Sequence, residues 1–225
     1  MTPRRTSPTT VRPTRTGARA QVRGDRTRDA IIDETVRCIN EEGFAAASAN
    51  HIAERAGVTW GVIQYHFGDR NGLLSAVVAH GYQGFRRAIE SVSVPDAPSH
   101  ERVAAVVDAA WTAFSSPESR ASLEILIAAR TAPGQEQMTE LGAMARDMRA
   151  LSGVLVGDGV DVDPEGAVVG EVLWATLRGL VLTQMLTRRP VDTSAERSVL
   201  VDLIAARIDG TGAGVTRGGG RPGAR

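Results

Sequence analysis

Residues 48–67 read SANHIAERAGVTWGVIQYHF, and this stretch decides the fold. Ser48 offers a hydroxyl that can cap a short helix ending at Arg55. Gly57 follows, where a residue tolerant of positive φ turns the chain sharply. Val58 is apolar and fills the angle, and Thr59 caps a second short helix. Two short helices across a tight glycine turn make a helix-turn-helix. At about 100° per residue, Trp60, Gly61, Gln64 and Tyr65 share one face of the second helix, and Val62, Ile63 and His66 lie roughly opposite. The inner face suits burial with Ile52, Ala53, Ala56 and Phe67. The outer face carries polar and aromatic tips and a glycine, where an ordinary surface helix would show Glu, Lys or Arg. Glycine weakens a helix by up to about 1 kcal/mol relative to alanine, so Gly61 points to a close approach by another backbone, for which DNA is the natural partner.

The flanks agree. Upstream, Ile32, Val36 and Ile39 recur at helical spacing beside Ile31, Thr35 and Cys38. They predict a helix of about 18 residues from Asp25 to a stop at Gly43. Cys38 reads as core filling. Residues 1–23 hold six arginines, three prolines and no acid, and are expected to be disordered in isolation. They read either as a solvated tail or as a basic arm that lies on phosphates or enters a minor groove. Downstream, Asp69 is placed to cap a long helix over Asn71–Ser91. Arg70 at its start suits a phosphate.

The stretch resembles the tetracycline-repressor (TetR) family of bacterial regulators. The matching residues are Ile31, Ile32, Gly43 and Phe44; then Ile52, Ala53, Ala56, Gly57, Val58, Thr59, Gly61 and Ile63; then His66, Phe67, Arg70, Leu73 and Leu74. They cover about residues 25–75, a third of the chain. Three positions depart from the family pattern. Trp60 stands where Lys or Arg is frequent, Gln64 where Tyr is frequent, and His51 where an acid is common. The first two alter the operator that is read: Gln64 can pair bidentately with adenine, and Trp60 can contact a thymine methyl or a sugar. His51 is expected to cap or pack locally and not to serve as a ligand. The expected DNA-binding set is Ser48, Asn50, Thr59, Trp60, Gly61, Gln64, Tyr65, His66 and Arg70.

The resemblance implies an all-α homodimer of about nine helices. Its expected parts are a three-helix DNA-binding domain over residues 24–75 and a ligand-binding and dimerisation domain over 76–209. Helices are expected over Ser99–Phe114, Pro117–Arg130, Gln135–Val156, Pro164–Thr187 and Ser194–Ile208, with a disordered Gly/Arg-rich tail over 210–225. The helices at 164–187 and 194–208 are apolar on more than one face, as helices serving both a core and a partner would be, and they stand for the dimer interface. Tyr82, Trp111, Phe114, Glu124, Met144, Met148, Trp174 and Arg178, with Arg130 and Gln184, are the expected ligand-binding residues. Each also has a plain reading as core or surface. Arg178 lies in an otherwise apolar helix and, if buried, needs Glu124, Glu171 or an anionic ligand beside it. The expected effector is a small apolar molecule that can carry an acidic group. The expected partner is double-stranded DNA bearing a pseudo-palindromic operator.

Composition sets the outer limits. Of 225 residues, 42% are hydrophobic, enough for a packed core, and only 4% are aromatic, which argues against an aromatic carbohydrate cleft. The zero net charge hides an asymmetry: residues 1–74 carry 11 arginines against 8 acids, and 75–209 carry 12 against 18. With a single cysteine there is no intrachain disulfide, which suits a reducing cytoplasm. No apolar run is long enough for a bilayer, so no membrane role is expected. No phosphate loop, nucleophile elbow or metal-spaced His/Cys cluster appears, so neither an enzyme, nor a cofactor, nor a metal is expected. The rival reading is a non-specific or architectural DNA binder driven by the Arg-rich tails.

Overall fold

A computed structural model describes residues 15–93, 96–130, 164–187 and 191–215. Eight helices and no strand stand among them. They are α1 (Arg15–Glu42), α2 (Ala49–Arg55), α3 (Trp60–Phe67), α4 (Arg70–Glu90), α5 (Ser99–Phe114), α6 (Pro117–Ala129), α7 (Pro164–Leu186) and α8 (Ser194–Val215). The chain is all-α, as expected. The helix expected over 135–156 lies outside the described residues.

Local chemistry accounts for most helix ends. The Ser48 hydroxyl accepts from the His51 N–H at 3.3 Å, and the Asp69 carboxylate accepts from the Gly72 N–H at 2.8 Å. Ser116 accepts from the Ser119 N–H at 3.2 Å, ahead of Pro117 in the first turn of α6. Between α2 and α3, Gly57 sits at φ +65°, where a Cβ would be strained although nothing lies within 4 Å of it.

Three ends differ from expectation. Helix α1 starts at Arg15, inside the segment expected to be a disordered arm. Past Pro13 no proline interrupts the chain, and Arg, Ala and Gln are strong helix formers. Helix α8 runs through Gly210, Gly212 and Gly214 to Val215, beyond the expected stop at Ile208 and into the expected tail. Thr59 stands before α3 but makes no side-chain capping bond.

The buried side chains form two cores. One gathers Ile31, Ile32, Val36 and Ile39 of α1, Ile52 of α2, Ile63 of α3, and Leu73, Leu74, Val77 and Val78 of α4; Ala121 and Ile125 of α6 complete it. The other joins Phe85 and Ile89 of α4 to Val103, Val107 and Phe114 of α5, Leu173 and Leu177 of α7, and Leu200 and Ile204 of α8. Each fully buried aliphatic chain contributes about 1.5–3 kcal/mol. Helix α4 therefore belongs to both cores, and α6 lies closely along it. A Cβ on Gly81 would stand 2.3 Å from Ser122 Oγ and 2.8 Å from the Glu118 carbonyl, so only glycine lets the two helices approach this closely.

Because Gly57 holds a left-handed conformation in open space, Gly57→Ala should cost about 1–2 kcal/mol of stability through backbone strain alone. Urea denaturation should show a lower midpoint with an unchanged slope.

Candidate nucleic-acid interface

Helix α3 is anchored by Ile63, which is fully buried, with Val62 and Phe67 packed against the same core. Its opposite surface is open. Gly61, Gln64 and Tyr65 are exposed, Tyr65 to 84%. Ser48, Asn50 and Thr59 are exposed beside them. The free Thr59 hydroxyl lies at the start of α3, where backbone N–H groups favour an anion. A methyl group added at Gly61 would meet only Thr59 Oγ1, at 3.7 Å, an ordinary contact. Nothing among the described residues therefore demands a glycine there.

Three of the expected DNA-binding residues are half-buried. Trp60 is half-buried and packs on the N-terminal core, so it does not stand clear of the surface as Gln64 and Tyr65 do. Its indole is large enough to reach back over the apolar rim from the first turn. His66 is half-buried; its ring meets Tyr65 edge-on at 5.0 Å and borders Gly24 of α1. Arg70 is half-buried, and its Nε donates to the Ala47 carbonyl at 2.8 Å while the guanidinium lies over the Phe44 ring, 4.8 Å from its centre. It ties the start of α4 to the α1–α2 connection, which accounts for its presence without any phosphate.

The early part of α1 was missed by the sequence reading. It runs beside α3: Gly24 borders His66, and Arg28 lies over the Phe67 ring at 5.2 Å. Arg23 and Arg26 are exposed there. The run of helix formers after Pro13 was the available signal.

An ionic cluster joins α1 to α2. Arg55 donates to Glu34 at 2.6 Å, to Glu41 at 2.7 Å and to Glu42, and Arg37 also pairs with Glu34. His51 packs locally, as expected, with Nε2 3.0 Å from Glu42 Oε2. Hydrogen bonds from Arg55 and then His51 hold the Glu42 carboxyl below the usual carboxylate range.

The expected ligand-binding residues do not form one group. Phe114 and Trp174 are buried together with Phe85, their rings 4.5–6.4 Å apart. Tyr82 and Trp111 are half-buried, and Arg197 lies over Trp111 at 4.9 Å. Arg178 has an exposed surface on α7, while the burial of its guanidinium lowers its pKa. Arg130 is exposed at the end of α6, and Gln184 donates to the Val191 carbonyl at 3.1 Å. Glu124 serves elsewhere: its Oε1 accepts from the Phe44 N–H at 2.6 Å. Asn40 adds a second tie between the same regions, donating to the Pro117 carbonyl at 2.9 Å. Met144 and Met148 lie outside the described residues.

Residues 31–77 match the family model described as bacterial regulatory proteins, tetR family. That match covers the helix-turn-helix and its flanks. Along most of its length it is also similar to the HTH-type transcriptional regulator BetI of Klebsiella pneumoniae (strain 342), with 29% identity over 186 residues, 80% of this chain and 93% of that one. Two solved structures share the fold. One is the multidrug binding protein EbrR complexed with imidazole, with a TM-score of 0.58 and 24% identity, covering 79% of this chain and 89% of that one. The other is a tetR-family regulator from Mesorhizobium loti MAFF303099, with a TM-score of 0.63 and 18% identity, covering 84% and 98%. Residues 31–77 thus carry a helix-turn-helix similar to that of tetR-family DNA-binding transcriptional regulators. No helix among the described residues is long and apolar enough to cross a membrane.

Gly61 and Arg70 should separate recognition from folding. Gly61→Ala should melt no lower than the parent, since alanine favours the helix by up to about 1 kcal/mol, yet bind DNA about tenfold more weakly, a loss of about 1.4 kcal/mol. Arg70→Ala should instead lower stability by about 1–3 kcal/mol, because it leaves the Ala47 carbonyl without its donor. Thermal melts and fluorescence anisotropy on the same samples check both.

Proposed function

We propose that this chain is a ligand-responsive repressor that reads a pseudo-palindromic operator as a homodimer and is released by a small apolar effector in the cytoplasm. The observation that carries the reading is the outer face of α3, where Gln64 and Tyr65 stand exposed on a helix pinned by Ile63. Gln64 is the base reader, with two hydrogen bonds to one adenine. Tyr65, Trp60 and His66 add apolar and edge contacts. Ser48, Asn50, Thr59 and the N–H of Gly61 meet phosphates, joined by Arg23 and Arg26 of α1; such contacts set position and carry no sequence information.

The dimer face is the exposed apolar stripe on α7 and α8. Val168, Val172, Ala175 and Gly179 repeat along α7, and Val199, Leu203 and Ala206 along α8. Leu203 is 66% exposed, an apolar surface that a partner helix would cover. A two-fold pair places two α3 helices about 34–36 Å apart, in successive major grooves. An effector lodged near Phe114, Trp174, Trp111 and Tyr82 would press on the second core. The Phe44–Glu124 and Asn40–Pro117 bonds would pass that strain to the DNA-binding domain. The effect is allosteric because the effector binds one arrangement better than the other.

The exposed arginines of α1 favour the second reading, a non-specific binder. Selection of bound sequences from a random DNA pool distinguishes them, since specific sites typically bind about 10³-fold or more tighter. Gln64→Ala should weaken the selected site by about 1–3 kcal/mol and random DNA hardly at all. Equal losses on both would favour the second reading. Leu203→Glu should yield monomers in sedimentation and abolish binding to the full palindrome; an unchanged dimer would exclude the α7–α8 face.

A further inference from the structure

Cys38, Glu42 and His51 follow no common metal-binding spacing in the sequence, yet the fold brings them together. Cys38 and Glu42 are four residues apart on α1 and so share a face. His51 lies in the first turn of α2, and the α1–α2 connection folds it back onto that face. The Cys38 sulfur, a Glu42 oxygen and a His51 ring nitrogen all lie within 4.8 Å of one another.

We propose that these three side chains bind one zinc-like divalent cation, which clamps the end of α1 to the start of α2. A tetrahedral zinc has bonds of about 2.0–2.3 Å, so its ligand atoms stand roughly 3–4 Å apart. Side-chain torsions can close the remaining difference. One sulfur, one imidazole nitrogen and one carboxylate oxygen suit a borderline-soft ion such as zinc, cobalt(II) or cadmium, and not magnesium or calcium, which take oxygen ligands.

Charge and orientation also fit. Glu34, Glu41 and Glu42 share the two guanidinium groups of Arg37 and Arg55, leaving one negative charge in excess. Arg55 engages Oε1 of Glu42, whereas Oε2 is turned to His51 Nε2 at 3.0 Å. The arginine thus orients the carboxylate from behind, as outer partners of metal ligands do. The ion replaces the hydrogen between Oε2 and Nε2, and the thiol proton of Cys38 passes to solvent as the sulfur–metal bond forms. The Cys38 side chain is fully buried, while Glu42 and His51 are each more than a third exposed. The ion therefore sits at the surface with its fourth position facing water, and the sulfur lies beneath it.

The chain has a single cysteine, so any thiolate-to-metal charge-transfer band reports Cys38. Cadmium and cobalt(II) titrations of the reduced, tag-free full chain should give such a band, saturating at one ion per chain. The bound ion should also raise the melting temperature. Cys38→Ser should abolish the band. His51→Ala and Glu42→Gln should each weaken binding by about tenfold or more. These two substitutions lie at the surface, so they test the site even if Cys38→Ser fails to fold. No band in the parent chain, or a band equally tight in both surface variants, would overturn the proposal.

Discussion

Helix α4 cannot serve one half of the molecule alone. Leu73, Leu74, Val77 and Val78 are sealed in the core of the DNA-binding helices, and Phe85 and Ile89 are sealed in the core of the body. A helix is a stiff rod with about 1.5 Å rise per residue. Whatever repositions its second half must carry its first half too, or open a cavity in a closely packed interior. Gly81 brings α6 hard against the middle of that rod, and Ala121 and Ile125 of α6 enter the first core. The order of helices along the chain therefore does not follow the division between packed units. The DNA-binding core is completed by a helix that lies in the chain beyond it.

The parts legible in the sequence were those governed by near neighbours. Ser48, Asp69 and Ser116 cap helices within three residues of themselves. Gly57 turns the chain because of its own φ, and Pro117 opens α6 because it needs no N–H donor. The periodic apolar positions of α1 gave the inward face, and those of α3 gave both its inward anchor and its open side. Where a single side chain is long and has two possible environments, local pattern failed. Arg70 sits at a helix start, a good place for a phosphate, but its guanidinium is drawn to a carbonyl 23 residues away. Glu124 looked like a residue of the body and instead reaches a backbone N–H 80 positions earlier. Cys38, Glu42 and His51 converge only because a turn intervenes. None of these pairings has a periodicity, so nothing short of the fold reveals it.

Arginine carries every positive side chain in this protein. Its consequences differ with the surroundings. Arg55 binds three carboxylates through separate nitrogens, which a single ammonium would do less well. Arg28, Arg70 and Arg197 instead lie over the rings of Phe67, Phe44 and Trp111. Such stacking favours a planar cation and contributes about 0.5–1 kcal/mol at exposed sites. The charge of these four arginines is therefore engaged within the protein. The arginines that remain available are those standing clear of an aromatic ring or an acid, as Arg23 and Arg26 do beside α3.

The joint between the two halves uses a main-chain donor. Glu124 grips the amide of residue 44, and every amino acid except proline presents that amide. The ring at this position can drift in evolution without loosening the bond, provided the chain keeps its course past Gly43. The tie between the two halves is thus set by the Glu124 side chain and by the course of the backbone at residue 44, and not by which side chain residue 44 carries.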